Sequence, residues 1–312
     1  MRQNPTALIE QDAGVRVNIS PFRRFLKAKN RAPKTVQTYV EAVERLDDFL
    51  AAQGMPRNVS TITREHVESF IGHLLDTAAA ATAANRYRSL QQFFKYLAED
   101  GEIKDSPMAR MTPPKLPDGE TLVLREDDLR HLIAACVGAD FEARRDAAII
   151  RLMIDTGCRI GEALALRLTN DDDNDVDLDQ GTIRLLGKGR RWRTASIGAK
   201  TARALDRYLR VRREHPDAPA RALWLGRRGP LTDQGLRLVI RRRGEQAGLG
   251  RIHPHMLRHA AAHHWLAAGG SEGDLMRLLG WTSRDMLQRY AATTGTERAV
   301  SAHKRMGLGD RL

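Results

Sequence analysis

The sequence predicts a mainly α-helical protein with a small β-sheet, organised as two units. Apolar residues recur at three- and four-residue spacing through most of the chain, which is the helical period. One stretch, at 182–197, instead has the pattern of strand, turn and strand. A proline-rich segment at 101–120 interrupts the helical patterns, and 312 residues are enough for two ordinary domains.

The first unit is predicted to be all-helical over residues 18–105, after a flexible lead-in at 1–17. Prolines 107, 113, 114 and 117 stand among polar residues, which favours a semi-rigid extended linker at 106–120. The second unit then occupies 121–312. The apolar spacing marks helices of the first unit at 35–50, 63–74 and 82–97.

The second unit is predicted to be mostly helical around one β-hairpin. The hairpin has strands at 182–186 and 192–197, joined by a glycine-containing turn. Helical patterns stand on both sides of the hairpin. They begin at Glu126 and continue over 145–156, 160–168, 200–213, 233–247, 255–268, 272–278 and 286–290, with a last short helix at 297–307.

The composition favours a polyanionic partner. Lysine and arginine outnumber aspartate and glutamate by 51 to 39, which gives a formal net charge of +12. Because the guanidinium fork pairs with two phosphate oxygens at once, an arginine-rich surface suits nucleic acid. A basic surface that is only solvated is the alternative, so charge alone does not decide.

Other classes are disfavoured by composition. Cys136 and Cys158 are the only cysteines, too few for a disulfide scaffold or a zinc cluster, so we expect a reduced, cytoplasmic protein. The chain does not open with a basic and apolar leader. It also has no run of about 18 apolar residues, so we expect no membrane span.

The segment Thr156-Gly157-Cys158-Arg159 predicts the sharp end of one helix and the start of the next. Backbone N–H groups and a guanidinium that converge there form an anion site. Glu162 lies three residues further along the same helix face, so we expect it to support Arg159 through an ion pair. The alternative is an ordinary surface ion pair.

Lys188 is predicted at the tip of the hairpin, between two glycines that permit positive φ. A mobile lysine at this position can enter a cleft and protonate a leaving oxygen. The alternative is a charged residue in a solvated turn. We expect phosphate contacts from the neighbouring arginines at 190, 191 and 193.

His255 and Arg258 are three residues apart on a predicted helix and therefore share a face. His259 and His263 have the spacing of two metal ligands. However, no glutamate stands where a zinc protease needs its base and no third ligand is evident, so we predict no metal and no other cofactor. The aspartate-rich stretch 171–179 lacks the turn glycine and final glutamate of a calcium loop and is predicted as an acidic, solvated loop.

Tyr290 completes this series of chemically reactive positions. A lone tyrosine near a helix end is usually a half-buried core residue, and a neutral phenol attacks poorly unless the charge of its anion is offset. Two arginines, a histidine and a lysine supply a positive field of that kind. Together they indicate a site for attack on a DNA phosphate.

These segments resemble the active-site boxes of the tyrosine site-specific recombinases, the phage integrase family. The resemblance covers nearly the whole chain, with 18–105 similar to the SAM-like core-binding domain and 121–312 to the mixed α/β catalytic domain. Residues 1–17 are too few for the arm-site domain of larger integrases, so we expect a two-domain, Xer-like or minimal member. The boxes are Thr156-Gly-Cys-Arg159-Ile-Gly-Glu162, Gly187-Lys188-Gly189, His255-Met-Leu-Arg258-His259, Leu279-Gly280-Trp281 and Tyr290.

The resemblance implies a role for each residue of the set. Arg159 and Arg258 clamp the non-bridging oxygens of the scissile phosphate, and Glu162 supports Arg159. Lys188 is the general acid on the 5′-oxygen, His255 assists proton transfer, and Tyr290 is the nucleophile.

One position departs from the pattern of many members. Those members have Leu-Gly-His, with the histidine nine residues before the tyrosine. This chain has Trp281 there, as some members do. An indole N–H donates a hydrogen bond to a phosphate oxygen but cannot exchange a proton. Trp281 therefore belongs to the catalytic set without a role in proton shuttling.

The implied reaction forms a 3′-phosphotyrosine and a free 5′-hydroxyl, and uses neither metal nor ATP. The implied partners are double-stranded DNA, a homotetramer of the chain on two DNA sites, and accessory proteins. Two alternatives remain at this point. One is a type IB topoisomerase-like enzyme, which shares the chemistry on a single duplex, and the other is a DNA-binding protein that has lost catalysis.

Overall fold

The computed structural model describes residues 14–116, 123–168, 174–187, 189, 191–284, 287, 299–300 and 303–307. The chain divides into two compact units, Met1–Glu120 and Thr121–Leu312. Each unit has a hydrophobic core of its own. Within the described residues, no helix is both long enough and apolar enough to cross a bilayer.

The first unit is helical in its described part, as its apolar spacing predicts. Pro33 opens the second helix, two residues before the predicted start, because proline suits the first helical position. The Thr63 amide donates to His66 Nδ1 (3.0 Å) and so satisfies one N–H at the start of the third. The helices are α1 Ile19–Ala28, α2 Pro33–Ala52, α3 Arg64–Thr77 and α4 Ala80–Glu99, with a 3₁₀ turn at Val59–Thr61.

The core of this unit is aromatic. Phe22 packs edge-on against Phe93, with ring centroids 5.3 Å apart, and both side chains are fully buried. The chain after α4 contributes as well, since Met108 is buried in this core and the Tyr87 hydroxyl donates to the Met111 carbonyl oxygen (2.7 Å). Met108 and Met111 lie within the segment 106–120 that we predict as linker.

The second unit combines helices with a three-stranded antiparallel sheet in the order β1-β2-β3. Strand β2 pairs with β3 so that Leu186 faces Trp192, which leaves the predicted hairpin turn at 187–191. The elements are α5 Glu126–Ala134, α6 Phe141–Thr156, α7 Ile160–Leu164, β1 Val176–Asp177, β2 Thr182–Leu186, β3 Trp192–Ser196, α8 Ala199–Arg212, α9 Asp233–Gln246, α10 Pro254–Ala267 and α11 Glu272–Leu279.

Two predictions about local structure are wrong. The helix predicted at 160–168 ends at Leu164, because Arg167 instead forms a β-bridge with Ala222. The predicted acidic loop contains strand β1, and Asp175 is buried. Its carboxylate accepts a hydrogen bond from the backbone N–H of Arg167 (2.9 Å) and lies 3.3 Å from Arg184 Nη2, so its charge is compensated inside the fold.

The core of the second unit fixes the start of α7. Helix α6 packs against α8 and α10. The fully buried Trp224 donates from Nε1 to the Ala163 carbonyl oxygen in α7 (2.9 Å). A buried hydrogen bond of this kind holds the short helix that follows Arg159 in a single position. The predicted fold class, mainly α with a small sheet, is confirmed.

Candidate active site

Gly157 ends α6 and directs the chain toward Arg159. Its φ is +57°, a left-handed conformation that favours glycine. A Cβ atom at this position would lie 2.4 Å from Cδ2 of Leu279, so the space is closed as well. Both constraints let α10 and α11 approach the end of α6 and place Arg159 at the N-cap of α7.

Glu162 is almost completely buried and receives three hydrogen bonds. Arg159 donates from its backbone N–H (2.8 Å) and from Nη1 (2.9 Å), and Arg193 donates from Nη2 (2.6 Å). The expected ion pair between Glu162 and Arg159 is therefore present. The Arg159 amide that we expected to face an anion is instead bonded to the carboxylate.

These bonds keep Glu162 ionised. Burial alone would raise the pKa of its carboxyl group, but the hydrogen bond from Arg193 and that from the Arg159 amide outweigh burial and lower the pKa below its usual value. At neutral pH the carboxylate thus holds two guanidinium groups in fixed directions, and one of them, on Arg159, is one-third exposed.

Arg193 is a residue that sequence reasoning placed wrongly. Instead of facing phosphates, its side chain is only 12% exposed and donates from Nε to the Leu278 carbonyl oxygen (2.8 Å) as well as to Glu162. Its Nη1 lies 3.4 Å from the Cβ positions that side chains at Gly187 and Gly280 would have. Arg193 therefore joins the hairpin tip, α7 and the end of α11.

Arg258 is hydrogen-bonded to the C-terminal ends of both α6 and α11. It is 4% exposed and donates from Nη1 to the Gly157 carbonyl oxygen (2.7 Å) and from Nη2 to the Leu279 carbonyl oxygen (2.8 Å). The last carbonyls of α11 thus receive two cations, which complements the negative end of the helix dipole. Because Gly157 is two residues before Arg159, the two predicted phosphate-binding arginines lie close together.

Trp281 follows α11 and is buried. Its ring lies under the Arg258 guanidinium, with 5.4 Å between Cζ and the ring centroid, a cation–π contact. It packs in a small apolar cluster with Leu266, Leu275 and Leu287. Leu287 belongs to the stretch that leads to Tyr290, so this cluster anchors the chain just before the predicted nucleophile.

His255 lies in the first turn of α10 and is exposed. Desolvation by the surrounding protein is the largest cause that lowers its pKa, followed by the positive charges of His253, Arg237, Arg258 and Arg159. His255 is therefore close enough to both arginines to be influenced by their charge. With a pKa below the usual value, the imidazole is neutral at neutral pH and can exchange a proton.

Lys188 and Tyr290 lie outside the described residues, as does Arg190. The chain on either side of Lys188 is described. A Cβ at Gly187 would lie 3.7 Å from Oε1 of Glu162, and Gly189 has a φ of +76°. The chain thus leaves the neighbourhood of Glu162 immediately before Lys188. Of the predicted residues, the described part of the chain brings together Arg159, Glu162, His255, Arg258 and Trp281.

Comparison with known proteins gives the class to which this fold and site belong. The family model for the phage integrase family matches residues 122–297, and the model for the N-terminal SAM-like domain of phage integrases matches residues 19–103. The chain belongs to the phage integrase family of tyrosine site-specific recombinases. The family predicted from the active-site boxes is confirmed.

Curated relatives point to the Xer type within this family. Tyrosine recombinase XerC of Roseiflexus sp. (strain RS-1) is 32% identical over 276 residues, which cover 86% of each chain. Tyrosine recombinase XerD of Bifidobacterium longum (strain NCC 2705) is 31% identical over 295 residues, with 88% of this chain and 92% of the relative covered. The predicted enzyme class, a site-specific DNA recombinase, is confirmed, and the topoisomerase and silent-binder alternatives are not favoured.

Solved structures agree on the fold. The Tn1549 transposon integrase in complex with transposon right-end DNA has a TM-score of 0.71 at 16% identity, covering 94% of this chain and 99% of that one. The XerH recombinase bound to palindromic difH substrate has a TM-score of 0.70 at 20% identity, covering 89% and 81%. At these identities the likeness concerns the fold alone.

Proposed function

We propose that this recombinase cuts and rejoins DNA strands through Tyr290, with the catalytic set Arg159, Lys188, His255, Arg258 and Trp281 and with Glu162 in support. The observation that carries the proposal is the network in which Glu162, Arg193 and Arg258 fix the ends of α6 and α11 around Arg159. Positive groups that are held in advance stabilise the charge of a pentavalent phosphorus without reorganisation.

In the proposed first step, the phenol oxygen of Tyr290 forms a bond to phosphorus while the bond from phosphorus to the 5′-oxygen breaks. Lys188 donates a proton to that leaving oxygen, and His255, neutral at neutral pH, assists proton transfer at the phosphate by accepting the proton that the phenol loses. The products are a 3′-phosphotyrosine and a 5′-hydroxyl. The hydroxyl of a partner strand then reverses these steps, so no ATP is consumed.

Arg159 and Arg258 are assigned to the non-bridging oxygens. Arg159 suits this role because its backbone and Nη1 are bound to Glu162 while one-third of its side chain is exposed. Arg258 is fixed by two carbonyl oxygens and by the Trp281 ring. We assign Trp281 to the same site as an N–H donor to phosphate oxygen.

We also propose duplex DNA as the substrate and a homotetramer on two DNA sites as the active assembly. In this scheme residues 18–105 bind DNA, 106–120 are the linker and 121–312 carry catalysis. Lambda integrase, whose fold is similar, forms a tetramer on a Holliday junction in one solved structure. Val300 and Met306, both about half exposed at the end of the chain, are suited to dock on a neighbouring copy.

The proposal is tested by trapping a covalent adduct between the protein and DNA. Full-length protein is incubated with sheared chromosomal DNA and denatured in detergent. DNA that stays attached to protein is then recovered, sequenced and rebuilt as a nicked suicide duplex. We expect a 3′-phosphotyrosyl adduct at one sequence, and strand joining between two duplexes of that sequence.

Tyr290→Phe should abolish the adduct, whereas the matched change Tyr39→Phe, in the first unit, should leave its yield unchanged. An adduct that persists in Tyr290→Phe contradicts the assignment of the nucleophile. Relaxation of supercoiled DNA without any joining of two duplexes contradicts the proposal of recombination.

A further inference from the structure

A basic groove lies in the second unit apart from the active-site residues. It is a half-open cavity of about 380 Å³ between α5, α6 and α8. Its wall carries five cations, two from α6 and three from α8, and the described residues that line it include no carboxylate. We call it the α6–α8 groove and define it by Arg144, Arg151, Lys200, Arg203 and Arg207.

The five cations share one cavity wall without an acidic partner among the described residues. Within the described part of the chain, none of them makes an ion pair or a side-chain hydrogen bond. Their neighbours on the same helices behave differently, since Arg145 pairs with Asp146 (2.7 Å) and Arg210 pairs with Asp206 (2.6 Å). On these two helices, the cations that face the groove therefore have no acidic partner among the described residues, and like charges collected in this way repel one another.

The arrangement of the cations indicates an elongated anionic ligand. Lys200, Arg203 and Arg207 follow helical spacing along one face of α8, a stripe about 10 Å long at 1.5 Å rise per residue. Arg144 and Arg151 form a second stripe on α6. A single phosphate would reach only one end of these stripes, so a ligand that uses all five cations carries several charges in a row.

The floor of the groove is apolar, which narrows the class of ligand. Ile133, Ala147 and Ala204 line it, and Val137 at its edge is 83% exposed. A DNA backbone or a bare polyphosphate would leave this surface without a partner. An amphipathic helix satisfies both features, because its apolar side chains enter the floor while its carboxylates meet the arginines.

We propose that the α6–α8 groove binds an acidic amphipathic helix of a protein partner. This binding is separate from the proposed strand cleavage, because no residue of the catalytic set lines the groove. The partner helix presents leucine-like side chains at helical spacing, flanked by glutamate or aspartate. Its attachment gives the recombinase a contact that does not compete for the active site.

Fluorescence anisotropy with the full-length protein tests the proposal. The probe is a labelled peptide of about 18 residues with leucine at positions i, i+3, i+4 and i+7 and glutamate on both sides of that stripe. A peptide of the same composition in scrambled order has equal charge but no apolar face. We expect the ordered peptide to bind at least about tenfold more tightly than the scrambled one.

Two groove variants identify where the probe binds. Arg203→Glu with Arg207→Glu should weaken binding by about tenfold or more. Arg227→Glu with Arg228→Glu, exposed arginines outside the groove, has the same charge change and should leave binding within about twofold. Val137→Ser is at an exposed position, where it leaves folding intact, and should weaken binding of the ordered peptide by about fivefold without affecting inorganic triphosphate.

The proposal fails if the scrambled peptide, triphosphate or a short duplex competes as well as the ordered peptide, since the groove would then be a general anion or DNA site. It also fails if both double variants weaken binding equally. Covalent cleavage by the Arg203→Glu and Arg207→Glu double variant should match the unsubstituted protein. That result separates a failure of this proposal from a failure of the proposed function.

Discussion

Asp47 in the first unit and Glu162 in the second are buried carboxylates that are each held by two arginines, and comparing them shows how the same contact serves two purposes. In the first unit, Asp47 is 1% exposed and is bonded to Arg57 and Arg16, both of which have side chains about half exposed or more. In the second unit, Glu162 is bonded to Arg159 and Arg193, which are 33% and 12% exposed. Both carboxyl groups have a lowered pKa, because bonds to arginine outweigh the burial that would raise it.

The two clusters differ in the further contacts that their arginines make. Arg16 continues to Asp48 on the surface, so the first cluster connects the segment before α1 and Arg57 to α2 and ends there. Arg193 continues to the Leu278 carbonyl oxygen at the end of α11, and Gly187 and Gly280 lie against it. The first cluster therefore stabilises a local arrangement of chain. The second connects the elements that carry the proposed catalytic residues.

The largest expected effect separates the two clusters by activity. Arg159→Ala removes a proposed phosphate ligand and should slow adduct formation on the order of 10²–10³-fold at saturating DNA. Arg57→Ala removes the equivalent partner of Asp47 and should leave the rate per folded molecule unchanged. Single-turnover formation of the phosphotyrosyl adduct measures both variants. Similar losses of rate in the two would show that the clusters do not differ in purpose.

The next effect concerns Arg193, which acts through other residues. Arg193→Ala should slow cleavage by roughly 10- to 100-fold, because Arg159 and the end of α11 lose a shared support. DNA binding should stay within about twofold, so the loss lies in the chemical step. Arg193→Lys restores the charge but not the fork and should recover only part of the rate. Arg16→Ala is the matched control, and a weakened DNA affinity with an intact rate would contradict the positioning role.

Sequence reasoning succeeded where residues close in the chain determine a contact. Glu162 was found because it lies three residues from Arg159 on one helix face. The long-range partners were missed, since no local pattern shows that Arg193 meets Glu162 31 positions away or that Arg258 meets the Leu279 carbonyl. One signal was present: Arg193 alternates with the buried Ala195 along β3, so its side chain points inward.

The two incorrect predictions of local structure, around Arg167 and Asp175, share a physical cause. Arg167 is polar and continues a helix-like pattern, but its backbone pairs with Ala222. Asp175 is polar and continues a loop-like pattern, but its backbone is bonded to β2. Tertiary pairing of this kind overrides local preference. Tertiary contacts also involve the segment predicted as linker, because Met108 and Met111 pack in the core of the first unit.

The effect of pH on stability should also differ between the two clusters, but by less than the effects on cleavage rate. Glu162→Gln should lower the free energy of unfolding by about 2–3 kcal/mol at pH 7, and Asp47→Asn by about 1–2 kcal/mol, because Arg193 is left more deeply buried than Arg57. Both carboxyl groups have a folded pKa below the usual value, so their stabilisation is present above that usual value and is lost as pH falls through the folded pKa.

The two units can be followed separately in this measurement. All four tryptophans stand at positions 192, 224, 265 and 281, so indole fluorescence reports the second unit and far-UV circular dichroism reports both. Urea unfolding at pH 7 should show the difference from the unsubstituted protein, and at a pH below the folded pKa of both carboxyl groups it should show little. A difference that persists unchanged in acid would mean that shape, not charge, explains the loss.

The smallest expected effect tests whether the positive charges around His255 lower the pKa of its imidazole. Arg237 is one of the cations that lower the pKa of this imidazole, after desolvation and His253. Arg237→Gln removes one positive charge and leaves Asp233 without its partner, and both changes raise the pKa of His255. Because the neutral imidazole is the active form in the proposed mechanism, cleavage falls as pH drops through that pKa, and this acid limb should move to higher pH in the variant. The rate of adduct formation at saturating DNA, measured between about pH 5 and pH 8, gives this acid limb of the pH–rate profile. Arg227→Gln is the control. If the limb does not move in Arg237→Gln, or if it is still present in His255→Gln, the pH dependence belongs to another group.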